Sequence, residues 1–239
     1  MIQVPLVAVP APPLPALVEL HRGCASELPA LVRAAGAPAD LVVADPPWNL
    51  YRERPGMAAP DGRYPVLTED EIGAHVAGVA ALLRPGGRLA LWACWPLLVA
   101  ALAAPGRPGW LDVPGVAWKT GGAWSKGGAP GVGYHWRGHS EPVLVGVRQG
   151  GAAGRAAAML RSSAHTTPGE HSAKPAGWMA EWIRAWVPPG GLVVDPYAGT
   201  GAVAEAVLRA GRGRRYLGTE IDPTRHRKAI DRIAIRGTP

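Results

Sequence analysis

Along this chain the spacing of apolar residues switches repeatedly between the short runs of buried strands and the longer periods of helices. Leu41-Val42-Val43-Ala44 is a short apolar run that delivers Asp45 to the end of a buried strand. Thr68-Glu69-Asp70-Glu71 then opens a helix, with Thr68 as N-cap and Glu71 at the third helical position, a capping-box pattern. That helix is predicted to run to about Leu83 and to stop at Pro85-Gly86-Gly87. Residues 88–94 read as a strand, 96–103 as a helix and 141–148 as a strand. Residues 175–187 form a helix closed by Pro188-Pro189-Gly190-Gly191; residues 192–195 are a strand and 201–210 the helix after it. Residues 215–220 are a strand, and the last helix runs from Pro223, at its first turn, to about Ile235. Strands alternating with helices predict an α/β fold with a doubly wound, mostly parallel sheet. Trp178, Trp182 and Trp186 recur at four-residue spacing, a helix stripe that reads as core, with a dimer face as the alternative.

Between these elements lie three stretches without a period. Residues 1–18 are apolar but carry Pro5, Pro10, Pro12, Pro13 and Pro15 and no basic segment, which reads as an extended arm rather than a signal peptide or membrane span. Residues 105–139 hold ten glycines and several aromatics, a long functional loop region rather than a second domain. Residues 150–175 form a loop, flexible at its start, leading to the next helix.

The 239 residues fit one domain, and 48% apolar content is enough to bury a core. The formal charge of +7, from 25 basic and 18 acidic residues, suits a polyanionic partner such as nucleic acid. Cys24 and Cys94 are too isolated for a disulfide framework or a zinc site, so a reducing cytoplasm is expected. His21, His75 and His226 have no partners at metal-ligand spacing, so no metal is expected. Ten tryptophans and no phenylalanine suggest that indoles fill the core.

Candidate chemistry sits at two strand ends. Asp45-Pro46-Pro47-Trp48 combines a carboxylate, a proline carbonyl with no neighbouring N–H on Pro46 or Pro47, and an aromatic face. Two acceptors suit the two hydrogens of an exocyclic amine, and the indole suits the flat ring that bears it. About 150 residues later, Asp195-Pro196-Tyr197-Ala198-Gly199-Thr200-Gly201 ends a strand and opens a helix. Gly199 and Gly201 let backbone approach a ligand, and the helix N-terminus favours negative charge. Glu220 closes the next strand about 20 residues on, where an acid grips ribose hydroxyls. The full dinucleotide fingerprint is missing, so a single-nucleoside cofactor is preferred.

These two loops, in this order, resemble the S-adenosylmethionine-dependent amino-methyltransferases of DNA, in the group whose catalytic loop precedes the cofactor loop. The likeness spans roughly residues 20 to 235. Thr166-Thr167 and His171-Ser172-Ala173-Lys174-Pro175 resemble the family's segment that holds the methionine end of the cofactor, and Gly218-Thr219-Glu220-Ile221-Asp222 its ribose-binding strand. His139-Ser140-Glu141-Pro142-Val143-Leu144 resembles the strand after the target-recognition region. Trp48 and residues 64–72 are also similar to the adenosine methyltransferases first known for messenger RNA. The family usually has Phe at Tyr197, Ser at Thr200 and Thr at Ala202, and often an acid contacting the cofactor's adenine at Cys24. With Cys24, that contact passes to Ser26, backbone or water.

The resemblance implies a Rossmann-like fold and methyl transfer from S-adenosylmethionine to the N6 amine of adenine in double-stranded DNA, with the target base flipped out of the helix. Asp45, Pro46, Pro47 and Trp48 are the catalytic candidates. Asp195 to Gly201 (Pro196, Tyr197, Ala198, Gly199 and Thr200 between), Glu220, Ile221, Ser172, Lys174 and Cys24 are the cofactor candidates. Target recognition is expected in residues 106–139 and 51–64. Arg52, Arg54, Arg63, Lys119, Lys126, His135 and Arg137 are candidate phosphate or base contacts there, and Trp118, Trp124, Tyr134 and Trp136 candidate stackers. The alternatives are cytosine N4 in DNA, adenosine in RNA, and an inactive nucleic-acid-binding subunit; a homodimer is a possible assembly. A protein-amide acceptor fits less well, because that chemistry suits Asn in place of Asp45.

Overall fold

The computed structural model describes residues 17–48, 67–103, 109–126, 139–151, 160–162 and 174–237. The candidates Arg52, Arg54, Arg63, Tyr134, His135, Trp136, Arg137 and Ser172 lie outside the described residues, as do most of the N-terminal arm and of the 150–175 loop.

The sheet is built outward from two fully buried strands, β2 (Ala39–Ala44) and β7 (Leu192–Asp195). Both are near-continuous apolar runs, the composition a parallel strand needs when helices cover both its faces. They pair in parallel, Leu41 beside Val193 and Val42 beside Val194. A buried carboxylate fixes this junction: Asp40 accepts from the Leu192 N–H at 2.9 Å and from Arg84 Nε at 2.5 Å. Gly191 leaves the room, since a Cβ there would stand 2.5 Å from Asp40 Oδ2.

On one side β7 leads through α5 (Ala202–Ala210) to β8 (Arg215–Glu220), and β8 pairs with β1 (Val18–Arg22). On the other, β2 leads through α2 (Glu69–Ala80) to β3 (Leu83–Trp92). Then come β5 (Ser140–Arg148) and β4 (Val116–Ser125), which pair antiparallel with β3 and with each other, and β6 (Leu160–Ser162) at the edge. The eight strands thus lie in the order β1-β8-β7-β2-β3-β5-β4-β6. The connections from β7 and from β2 leave in opposite directions, so a topological switch point lies between them, where open α/β sheets bind ligands.

The two faces have separate cores. One packs α1 (Leu28–Ala34), α2 and α3 (Trp95–Ala103) through Leu28, Ile72, Val76 and Leu97. The other packs α4 (Ala176–Trp186), α5 and α6 (Pro223–Gly237). Trp178, Trp182 and Trp186 point from α4 into this second core, as the stripe predicted. They meet Trp92 of β3, with centroids 6.0 Å (Trp178) and 5.7 Å (Trp182) away, and Trp124 of β4 lies 6.2 Å from Trp92.

Several expectations are corrected. α2 ends at Ala80, not Leu83, and Pro85-Gly86-Gly87 lies inside β3. Leu82 and Leu83 continue the apolar pattern across the boundary, so periodicity does not show where helix gives way to strand. Residues 116–125 form β4 within the stretch read as loop; Gly121-Gly122 interrupts the alternation that would have marked it. β1 and α1 were not anticipated: β1 is a five-residue edge strand directly after the prolines.

Candidate active site

The C-terminal ends of the parallel strands bring the two chemical loops together. Across that edge stand Cys24 after β1, Glu220 at the end of β8, Asp195-Pro196-Tyr197 at the end of β7 and Asp45 after β2. The pairing of β2 with β7 makes Asp45 and Asp195 neighbours despite their separation in sequence.

Asp45 Oδ2 lies 2.7 Å from Lys174 Nζ, which is 3.0 Å from Glu141 Oε2, and Glu141 in turn pairs with Lys126. The result is a row of alternating charge: Asp45, Lys174, Glu141, Lys126. Its floor is the tryptophan cluster, with Lys174 Nζ 5.4 Å from the Trp92 ring centre and Lys126 Nζ 5.6 Å from that of Trp124. Burial raises the Asp45 carboxyl above its ordinary value, and Lys174 opposes this. Burial disfavours the Lys174 ammonium, but Asp45 and Glu141 more than offset it and hold the amine charged. Burial likewise works against ionised Glu141, and the two lysines reverse it, so Glu141 sits below the usual range. Lys174, which the resemblance assigns to the methionine end of a cofactor, is here partnered with Asp45. Glu141 was not singled out by its sequence; only its place beside Lys174 in space reveals it.

The Pro46 carbonyl, expected to be free, accepts from the Trp48 N–H at 2.8 Å. This three-residue turn leaves the oxygen its second lone pair. Trp48 is held at one edge, its Nε1 donating to the Trp92 carbonyl at 3.1 Å, and it packs edge-to-face on buried Trp110 at 4.8 Å. Trp48 itself stays half-buried.

On the other side of the switch point, Asp195 is 1% exposed. Its Oδ1 accepts from the Tyr197 N–H and its Oδ2 from the Tyr216 hydroxyl, both at 3.1 Å. Burial outweighs both bonds, and the carboxyl is pushed up to about 7. An acid raised in the folded state loses stability as pH rises from its unfolded value, near 3.8, through about 7. Asp195→Asn keeps the shape without the charge. Its stability relative to the parent is therefore expected to climb over that pH window and level off above it. A shift of this size is worth on the order of 4 kcal/mol, and denaturant melts of both proteins from pH 4 to 8 measure it. A constant difference contradicts the assignment.

Gly199 and Gly201 of the loop have φ of +54° and +83°, a conformation that side chains avoid. A Cβ on Gly201 would also stand 3.1 Å from Ala229 of α6. Glu220 spans the loop, accepting from the Gly199 N–H at 2.7 Å and from the Asp222 N–H at 2.9 Å, with further lone pairs unused. Beside it Ile221 is 52% exposed, an apolar side chain in solvent. At the end of β1, the Cys24 N–H donates to Glu27 Oε1 at 2.9 Å. A carboxylate therefore does stand at this position, but it comes from Glu27, three residues beyond the cysteine; the sequence reading named Ser26 and missed it.

Two recognition candidates are corrected. Trp124 is fully buried in the tryptophan cluster and cannot stack on nucleic acid. Trp118 is half-buried, its Nε1 bound to the Leu111 carbonyl at 2.7 Å. Lys126 is engaged by Glu141, whereas Lys119 is exposed on β4. On α6, Arg227 pairs with Asp231 on the exposed face, as expected of a solvated surface. Among the described residues no cluster of His, Cys, Asp and Glu is arranged to hold a metal ion, and no helix is long and apolar enough to cross a membrane.

The strand order and the switch-point site define the Rossmann-like methyltransferase fold. The structure of M1.HpyAVI in complex with S-adenosylmethionine superposes with a TM-score of 0.65 and 16% identity, over 90% of this chain and 98% of that one. The DNA modification methylase TTHA0409 of Thermus thermophilus, also with S-adenosyl-L-methionine, gives 0.63 and 22% over 92% and 95%. The cytosine-N4-specific PvuII DNA methyltransferase gives 0.59 and 15% over 93% of each.

In sequence, residues 143–231 match the N6_N4_Mtase family, described as DNA methylase. That span takes in the 195–201 loop and Glu220 and leaves Asp45 outside. A protein of Escherichia coli (strain K12) named as a methylase, YubD, is 36% identical over 61 residues, 26% of each chain, so this chain spans about a quarter of that relative.

Proposed function

We propose that this chain transfers a methyl group from S-adenosylmethionine to the exocyclic N6 amine of adenine in DNA. The observation that carries the reading is the pairing of β2 with β7, which sets Asp45-Pro46-Pro47-Trp48 against the Asp195–Gly201 loop at a switch point. The residues present fit the cofactor. Glu220 has unused lone pairs for ribose hydroxyls, Ile221 offers apolar surface for an adenine ring, and Glu27 places a carboxylate beside Cys24. Asp195 is suited to an ammonium. When bound, S-adenosylmethionine supplies a methyl group on a positively charged sulfur.

The protein's part is orientation and charge. Asp45 and the second lone pair of the Pro46 carbonyl accept the two hydrogens of the target amine. This turns its nitrogen lone pair towards the cofactor side and stabilises positive charge as it develops there. The nitrogen gains the methyl and gives up one hydrogen as a proton, which Asp45, raised by burial, is placed to accept. Trp48 stacks on the base, a contact worth roughly 1–3 kcal/mol. The +7 charge supports a nucleic-acid substrate.

Base choice is tested with two sets of duplexes. In one, purine replaces adenine and removes the 6-amine; in the other, pyrimidin-2-one replaces cytosine and removes the 4-amine. Label from S-adenosylmethionine is expected to be lost from the first set and kept in the second. The reverse pattern selects cytosine N4.

A further inference from the structure

Tyr197 carries a hydroxyl where the resembled family usually has a phenylalanine, and that hydroxyl has a partner in the other half of the chain. It lies 3.0 Å from His75 Nδ1, and the two rings stack with centroids 6.4 Å apart and planes 16° apart. His75 sits on α2, and the start of α2 is tied to the catalytic tetrapeptide. The Leu67 N–H donates to the Pro47 carbonyl at 3.3 Å, and Leu67 forms a β-bridge with Trp48. Thr68 then starts the helix through a closed capping box. Its N–H donates to Glu71 Oε2 at 2.7 Å, and the Glu71 N–H donates to Thr68 Oγ1 at 3.2 Å. Ile72, Val76, Val79 and Ala80 bury the helix against the sheet. From Thr68 to His75 is seven residues, about 10 Å of helix.

α2 is therefore a strut with one end on the Asp45–Trp48 loop and its middle on the Asp195–Gly201 loop. We infer that His75 is a positioning residue: by holding the Tyr197 hydroxyl, it sets the distance between the loop that takes the target amine and the loop that takes the cofactor. This rests on the function proposed above. Burial, with Cys24 and Asp45, keeps the Tyr197 phenol neutral well above its ordinary range, so the hydroxyl is the donor. His75 accepts with the lone pair of Nδ1, which places its ring proton on Nε2. A phenylalanine at 197 would fill the same space and leave the strut unattached.

The test uses the full chain and four variants. His75→Asn puts an amide oxygen near the place of Nδ1; His75→Leu fills the volume without an acceptor; Tyr197→Phe removes the donor; the fourth combines the last two. His75→Leu and Tyr197→Phe are each expected to lower kcat about 10-fold, within the range that small misplacements of reacting groups produce, with KM for S-adenosylmethionine nearly unchanged. The double variant should be no slower than either single one, since both remove the same bond. His75→Asn should recover most of the rate. A second readout needs neither cofactor nor DNA. Amide hydrogen exchange across 195–201 should speed up about fivefold to tenfold in His75→Leu and Tyr197→Phe, and not in His75→Asn. Unchanged kcat and exchange in the two single variants, multiplying effects, or an Asn variant as impaired as Leu would overturn the inference. If the parent transfers no methyl at all, the proposed function fails, and the exchange pattern still decides whether His75 holds the loop.

Discussion

Asp45→Ala is expected to lower methyl transfer by about 10³-fold or more, while S-adenosylmethionine binds within about threefold of the parent. The size follows from what one preorganised partner contributes where charge develops in a site screened from water, about 10² to 10³-fold, with proton acceptance adding to it. Alanine removes one of the two acceptors that orient the amine and the group placed to take its proton. It leaves Glu220, Asp195 and the glycine loop in place, so cofactor affinity is the internal control. Initial rates with labelled cofactor and an equilibrium titration measure the two quantities. Equal losses in both would mean that Asp45 serves the fold rather than the chemistry.

Lys174→Met is expected to have the second largest effect, and on stability as well as rate. Its ammonium stands between Asp45 and Glu141, with the side chain 10% exposed. Removing one partner of a buried ion pair leaves uncompensated charge and costs about 3–5 kcal/mol. The pairing of Glu141 with Lys126 softens this, because one carboxylate keeps its own cation. Asp45 keeps none in direct contact and faces Glu141 besides, so its carboxyl should rise further. The rate profile of the variant should shift to higher pH as protonated Asp45 stops accepting from the amine. Denaturant unfolding and a pH–rate profile check both parts, and parental stability with an unshifted profile would contradict the role given to Lys174.

Much of the sheet was legible because its central strands are plain apolar runs. Residues 192–195 and 215–220 read as strands from composition alone, as buried parallel strands should. The capping box of α2 was equally plain, since Thr68 and Glu71 act on their own turn. What stayed hidden depends on partners distant in sequence. β1 is a strand because β8 lies beside it, and β4 because β5 does, and neither carries enough apolar alternation to declare itself. Within the site, motifs named Asp45, Asp195 and Glu220. They could not show that Lys174 and Glu141 line up with Asp45, that Glu27 folds back onto Cys24, or that His75 meets Tyr197. Trp124 misled for the opposite reason. An indole among glycines and lysines looks like a stacking residue until the sheet shows which face it occupies.

The central claim is a methyl group placed on a nucleobase amine in DNA. Its most direct test is incubation of the protein with unmethylated genomic DNA and isotopically labelled S-adenosylmethionine, followed by mass spectrometry of the released nucleosides. The account predicts labelled N6-methyldeoxyadenosine; DNA that carries label on neither adenine nor cytosine, from a protein that binds the cofactor, would contradict it.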